Sequence, residues 1–83
     1  MNMKKEYLEW VARKQGYARA MDIIYQHRCP EDLDEIDNLK ETAIKDVRSG
    51  RYSDYEKEVM IEAIRQAFRD YKDFLKMKYF EVV

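Results

Sequence analysis

The sequence has one cysteine, one proline, one histidine and only two glycines in 83 residues, and each scarcity removes a class of protein. A lone Cys29 forms no internal disulfide, so the chain is not a disulfide-stapled scaffold. One Cys and one His also fall short of the four ligands, usually several of them Cys or His, that a structural zinc site needs, so neither a metal nor a cofactor is expected. Two glycines and one proline do not supply the turns of an all-β fold. No window reaches the roughly 18 to 20 apolar residues of a membrane-spanning helix, and "MNMKKEYLEW" has no apolar run of signal-peptide length. A reducing cytoplasm is the expected compartment. Sixteen Lys and Arg against seventeen Asp and Glu leave a net charge of −1, so any electrostatic role is local.

Glu, Lys, Arg, Ala, Met and Leu fill the chain as they do in helices, and the hydrophobic period predicts an all-α domain over residues 1–83. A first helix is expected over 3–27, with Tyr7, Trp10, Val11, Tyr17, Ala18, Met21, Ile24 and Tyr25 on one face that keeps phase through Gly16. A second is expected over 31–49. Pro30 suits its first position and Glu31 and Asp32 suit its dipole, while Leu33, Ile36, Leu39, Ala43, Ile44 and Val47 form a narrow apolar stripe. "RSG" ends it, with Gly50 available for a left-handed cap. "SDYE" at Ser53–Glu56 has capping-box spacing and opens a third helix over 53–78. Its apolar residues, from Val59 through Phe68 and Tyr71 to Phe74 and Leu75, cover an arc of about 180°, wider than an ordinary surface stripe, which makes it the central helix. Short connections fold the helices back on one another as an antiparallel three-helix bundle, and the apolar tail "KYFEVV" is expected to cap it.

Charge divides by segment. The first helix is rich in Lys and Arg, whereas Glu31 to Arg48 holds seven acidic residues against three basic ones. On the third helix Arg65, Arg69, Lys72 and Lys76 recur at i, i+4, i+7 and i+11, a basic ridge about 17 Å long by helix rise.

"YQHRCPEDLDEID" gathers the unique His27, Cys29 and Pro30 with five carboxylates. A thiol at a helix N-terminus is a candidate nucleophile, because the dipole lowers its pKa. The simpler reading is a helix junction. Glu31 with Asp34, and Asp70 with Asp73, have the three-residue spacing of paired carboxylates that hold Mg²⁺ in all-α nucleotide pyrophosphatases, but they lie at or beyond the edges of the apolar stripes, where solvated roles are the rule. "VARKQGYARAMDII" resembles a helix-turn-helix core in placing Ala12 and Gly16 four apart. The resemblance stops there, since Asp22 and Gln15 are polar where that motif needs apolar contacts.

Leu8, Ala12, Gly16, Ala20 and Ile23 form a small-residue stripe on the other side of the first helix, where a second backbone fits closely. That stripe is a candidate partner interface, or else the seat of the third helix, with the aromatic face turned outward. Seven tyrosines and a tryptophan exceed what a core of this size absorbs. The expected function is therefore non-catalytic. It is that of a small interaction protein acting by protein contact, either on a second copy of itself or as a regulator or inhibitor of a larger assembly, and it shares its general composition with phage and mobile-element accessory proteins. The alternative is nucleic-acid binding through Arg65, Arg69, Lys72 and Lys76.

Overall fold

The computed structural model describes residues 3–80, with side chains from Lys4 to Lys78. Its helices are α1 (Met3–Gln26), α2 (Leu33–Arg48) and α3 (Asp54–Phe80). All three pack on one another, with α3 in contact with both others, as its wide apolar arc requires. Glu9 of α1 meets Tyr55 of α3, and Tyr17 meets Asp70 further along, so α1 and α3 run parallel in direct contact, with α2 antiparallel to both. The expected three-helix bundle is the fold, and it is elongated, with extents of 50 × 27 × 16 Å.

The core is built from Ile24 on α1, Ile36, Ala43, Ile44 and Val47 on α2, and Met60, Ile64, Ala67 and Phe68 on α3, all nearly inaccessible to water. Tyr71 is buried with them, and its hydroxyl donates to the Pro30 carbonyl at 2.6 Å, tying α3 to the linker between α1 and α2. Two residues assigned to the apolar stripes of α2 and α3 leave the core. Leu33 lies in the first turn of α2, 60% exposed, and Phe74 lies at the α1 edge of α3, 59% exposed.

The helix ends show which local signals prevail. The Ser53 hydroxyl accepts from the Glu56 N–H and the Glu56 carboxylate accepts from the Ser53 N–H, completing the capping box before Asp54. For α2 the cap is Asp32, whose carboxylate accepts from the Glu35 N–H at 3.0 Å, so the helix starts two residues later than Pro30 suggests. A carboxylate free to bond an open N–H outcompetes proline's preference for the first turn. Gly50 does not take the left-handed cap, because α2 ends at Ser49 in a right-handed conformation. Gly50 instead makes room for the Tyr52 ring, which would lie 2.6 Å from an added Cβ. The end of α3 differs from expectation as well: helix continues through Phe80, and the rest of the tail, 81–83, lies outside the described residues.

Left-handed backbone occurs at Arg28 (φ 60°) and Cys29 (φ 52°), where α1 stops. The Cys29 N–H donates to the Ile24 carbonyl and the Arg28 N–H to the Tyr25 carbonyl, the paired bonds of a Schellman motif with arginine in the position that usually holds glycine. A side chain in this region costs about 1 kcal/mol or more. Arg28→Gly is expected to stabilise the fold by about 0.5–1 kcal/mol, after glycine's extra unfolded-state entropy is subtracted. A urea midpoint no higher than wild type would contradict the strain assigned to this residue.

Candidate functional site

Helix α1 has two faces, and their uses are the reverse of a simple aromatic-core expectation. Ala12, Gly16 and Ala20 are buried against α3 of the same chain. A Cβ on Gly16 would lie 2.5 Å from the Met60 carbonyl oxygen and 2.9 Å from its Cα, so the two backbones touch there. The small-residue stripe is thus occupied within the chain and is not open to a partner at these three positions. Ile23 is half-buried at the core's edge, and of the five candidate interface residues Leu8 alone stays substantially exposed. The physical reason is that the α3 backbone at Met60 and the Ala63 methyl lie directly against α1, and only residues without large side chains admit so close an approach.

The aromatic face consequently looks outward. Tyr7, Trp10, Tyr17 and Tyr25 are 62, 54, 37 and 65% exposed. Local contacts order them. The Tyr7 and Trp10 rings lie 6.2 Å apart, the Lys14 ammonium sits 4.5 Å over the Trp10 ring, and the Tyr17 hydroxyl donates to Asp70 at 3.0 Å. Burial first, then the Asp70 hydrogen bond and charge, raise the Tyr17 pKa above the usual phenol value, which keeps this hydroxyl a donor through the neutral range. Beside Tyr17, Met21 and Tyr25 runs an apolar groove of about 470 Å³, whose far wall is Ala67, Tyr71, Phe74 and Leu75 of α3. Phe74 falls on the same helical arc as buried Ala63 and Ala67, so the period alone does not mark it as a surface residue.

The basic ridge is assembled differently from its sequence pattern. Arg65, Arg69 and Lys76 are exposed, whereas Lys72 is half-buried and donates to the Asp37 carboxylate of α2. Lys40, also from α2, joins Arg65, Arg69 and Lys72 around a cleft of about 230 Å³ with Phe68 in its wall. The ridge therefore borders the α2–α3 groove, and one of its four cations is already neutralised. Neither Asp37 nor Lys40 could be placed here without the register of α2 on α3.

The Lys72 hydrogen bond, opposed by partial desolvation and aided by the charges of Lys72 and Lys40, lowers the Asp37 pKa below 3.8. A depressed carboxyl pKa contributes stability that is complete above the unfolded value, near 4, and is lost as pH falls through the folded value. Asp37→Asn is accordingly expected to flatten the stability profile below about pH 4, read as thermal midpoint against pH. Superimposable acid limbs for the two proteins would show that this pair has no influence on stability.

Cys29 is exposed and precedes the Asp32 cap by three residues, so it does not hold the N-cap position that would activate its thiol. Glu31 pairs with Lys78, and Asp70 accepts from both Tyr17 and Gln66. Among the described residues no group of three His, Cys, Asp or Glu converges as metal ligands, and no helix is long and apolar enough to cross a membrane. The continuous helix from Met3 to Gln26 leaves no turn at Gly16, which removes the helix-turn-helix likeness. No family model, curated protein or solved structure matches the chain.

Proposed function

We propose that this protein is a non-catalytic helical module that acts by protein contact through the outward face of α1, in a regulatory or inhibitory role. One observation carries the reading: four large aromatic side chains of a single helix stand in solvent while glycine and alanine on its opposite side serve the core. Tyrosine and tryptophan offer wide contact area at low entropic cost and dominate the energetics of protein interfaces. Their polar atoms are compatible with both a free and a bound state, as the Tyr17–Asp70 bond illustrates.

The test is in-cell photocrosslinking with a diazirine side chain at position 10 or 25, compared with the same group at exposed Asn38 on α2. A protein adduct formed from positions 10 and 25, but not from 38, is the expected result. Adducts equal at all three positions, or absent from all, would remove this face as the contact surface. For a partner so identified, Trp10→Ala is expected to weaken binding by about 2 kcal/mol, near thirty-fold.

A second reading draws on the basic ridge of α3, beside which α2 brings Lys40 close to the same Asp37 that holds Lys72. With Lys72 held by Asp37, Arg65, Arg69 and Lys76 could neutralise about three phosphates, giving weak nucleic-acid binding with a log–log salt slope near −3. Unretarded DNA and RNA in a low-salt gel would dismiss it.

A further inference from the structure

We infer that the occupant of the outward face of α1 is a second copy of this chain, paired antiparallel about Gly16; the inference rests on the contact function proposed above and names its partner. Tyr7, Val11, Lys14, Ala18, Met21 and Tyr25 follow the alternating four-and-three spacing of a coiled-coil seam. This seam is palindromic. Reversing a second α1 about residue 16 sets Tyr7 level with Tyr25 of the other copy, Val11 level with Met21, and Lys14 level with Ala18. Large residues then meet large ones, and each lysine stem passes over an alanine. A parallel pair would instead stack Lys14 on Lys14, with like charges in the middle of the seam.

The surface area agrees. The exposed fractions of Tyr7, Trp10, Tyr17, Tyr25 and Phe74 amount to about 500 Å² of aromatic surface. Half-buried Val11 and Met21, together with Ala18 and the Lys14 stem, extend that face toward the roughly 800 Å² each partner gives to a stable interface. Trp10 and Tyr17 flank the seam on its α3 side, and the Tyr17–Asp70 bond holds one flank in place before pairing.

Exposed Cys29 supplies the probe. The 83-residue chain is the sample for sedimentation equilibrium and, after nitroxide labelling of Cys29, for dipolar spin-label spectroscopy. The expected results are a doubled mass in the micromolar range and an inter-label distance of about 30 Å or more, from the ten residues of helix rise between Gly16 and Gln26 on each side of the dyad, with Cys29 in the turn beyond. Tyr7→Glu with Tyr25→Glu should return the mass to that of a monomer with unchanged circular dichroism, because both side chains are exposed. A spin-label distance of about 20 Å or less marks a parallel pair and overturns the inference. So does a dimer that survives the double substitution, and so does a monomer at every concentration. If the monomer's positions 10 and 25 still crosslink to another protein, the contact function stands and only self-pairing fails. If they crosslink to nothing, both fail.

Discussion

Gly16→Ala is expected to destabilise the protein by about 2 kcal/mol, lowering its melting temperature by about 10 °C. In an ordinary exposed helix position the same change is favourable by about 1 kcal/mol, because alanine restricts the unfolded chain and favours helix. Here the added methyl would lie 2.5 Å from the Met60 carbonyl oxygen, 2.9 Å from the Met60 Cα and 3.0 Å from the Ala63 Cβ. Two of these neighbours are backbone, and none is the movable end of a long side chain. Relief requires α1 and α3 to separate along their shared length, which loosens Ala12, Ala20, Ala63 and Ala67 as well. The cost of overpacking, about 3 kcal/mol at the upper end of its range, therefore exceeds the gain in helix propensity. Gly16→Leu should abolish cooperative unfolding altogether. The sign is the decisive measurement: an unchanged or raised melting temperature for Gly16→Ala would mean that α1 and α3 do not touch at this point.

Gly16 also shows where reading the sequence succeeds and where it stops. The spacing of Ala12, Gly16 and Ala20 reveals that some backbone comes close to α1, but the owner of that backbone is a property of the three-dimensional arrangement. Period alone assigns two apolar faces to α1, and the larger aromatic one looks like the core by area. What reverses the assignment is the close approach of α3, whose Met60 backbone and Ala63 methyl leave no room for a large side chain at Gly16. Signals confined to a few residues were legible, as in the reciprocal bonds of Ser53 and Glu56. Competing local signals were less so: Pro30 and Asp32 both announce a helix start, and the hydrogen bond to the Glu35 N–H decides between them. The left-handed Arg28 and Cys29 leave no trace in composition, because the closure of the Schellman bonds enforces a conformation that neither residue prefers. For the basic ridge the helical spacing was readable, while its partial neutralisation by Asp37 depends on how α2 lies against α3.

Phe68→Ala is expected to cost about 3–5 kcal/mol, the range for emptying a buried aromatic site. A domain of this length has about 4–12 kcal/mol in total, so the variant should be marginal at room temperature. Phe68 is 1% exposed and packs where α3 meets α2, in the wall of the cleft bordered by Lys40, Arg65, Arg69 and Lys72. Phe68→Leu, which keeps most of the volume, should lose less than about 1.5 kcal/mol. Urea titrations of the three proteins would give these differences from their midpoints, and a loss below about 1 kcal/mol for the alanine variant would show that α2 does not depend on this ring. The consequence for function is separable. Ala12, Gly16 and Ala20 join α1 to α3 on a different side of α3, while the aromatic seam is on the far side of α1. A Phe68 variant that is still folded should therefore assemble as the wild type does. The Tyr7→Glu, Tyr25→Glu variant should show the opposite behaviour, with its urea midpoint close to wild type when both are compared as monomers, and with assembly lost. The two sets of substitutions thus assign stability to the α2–α3 junction and contact to the outer face of α1.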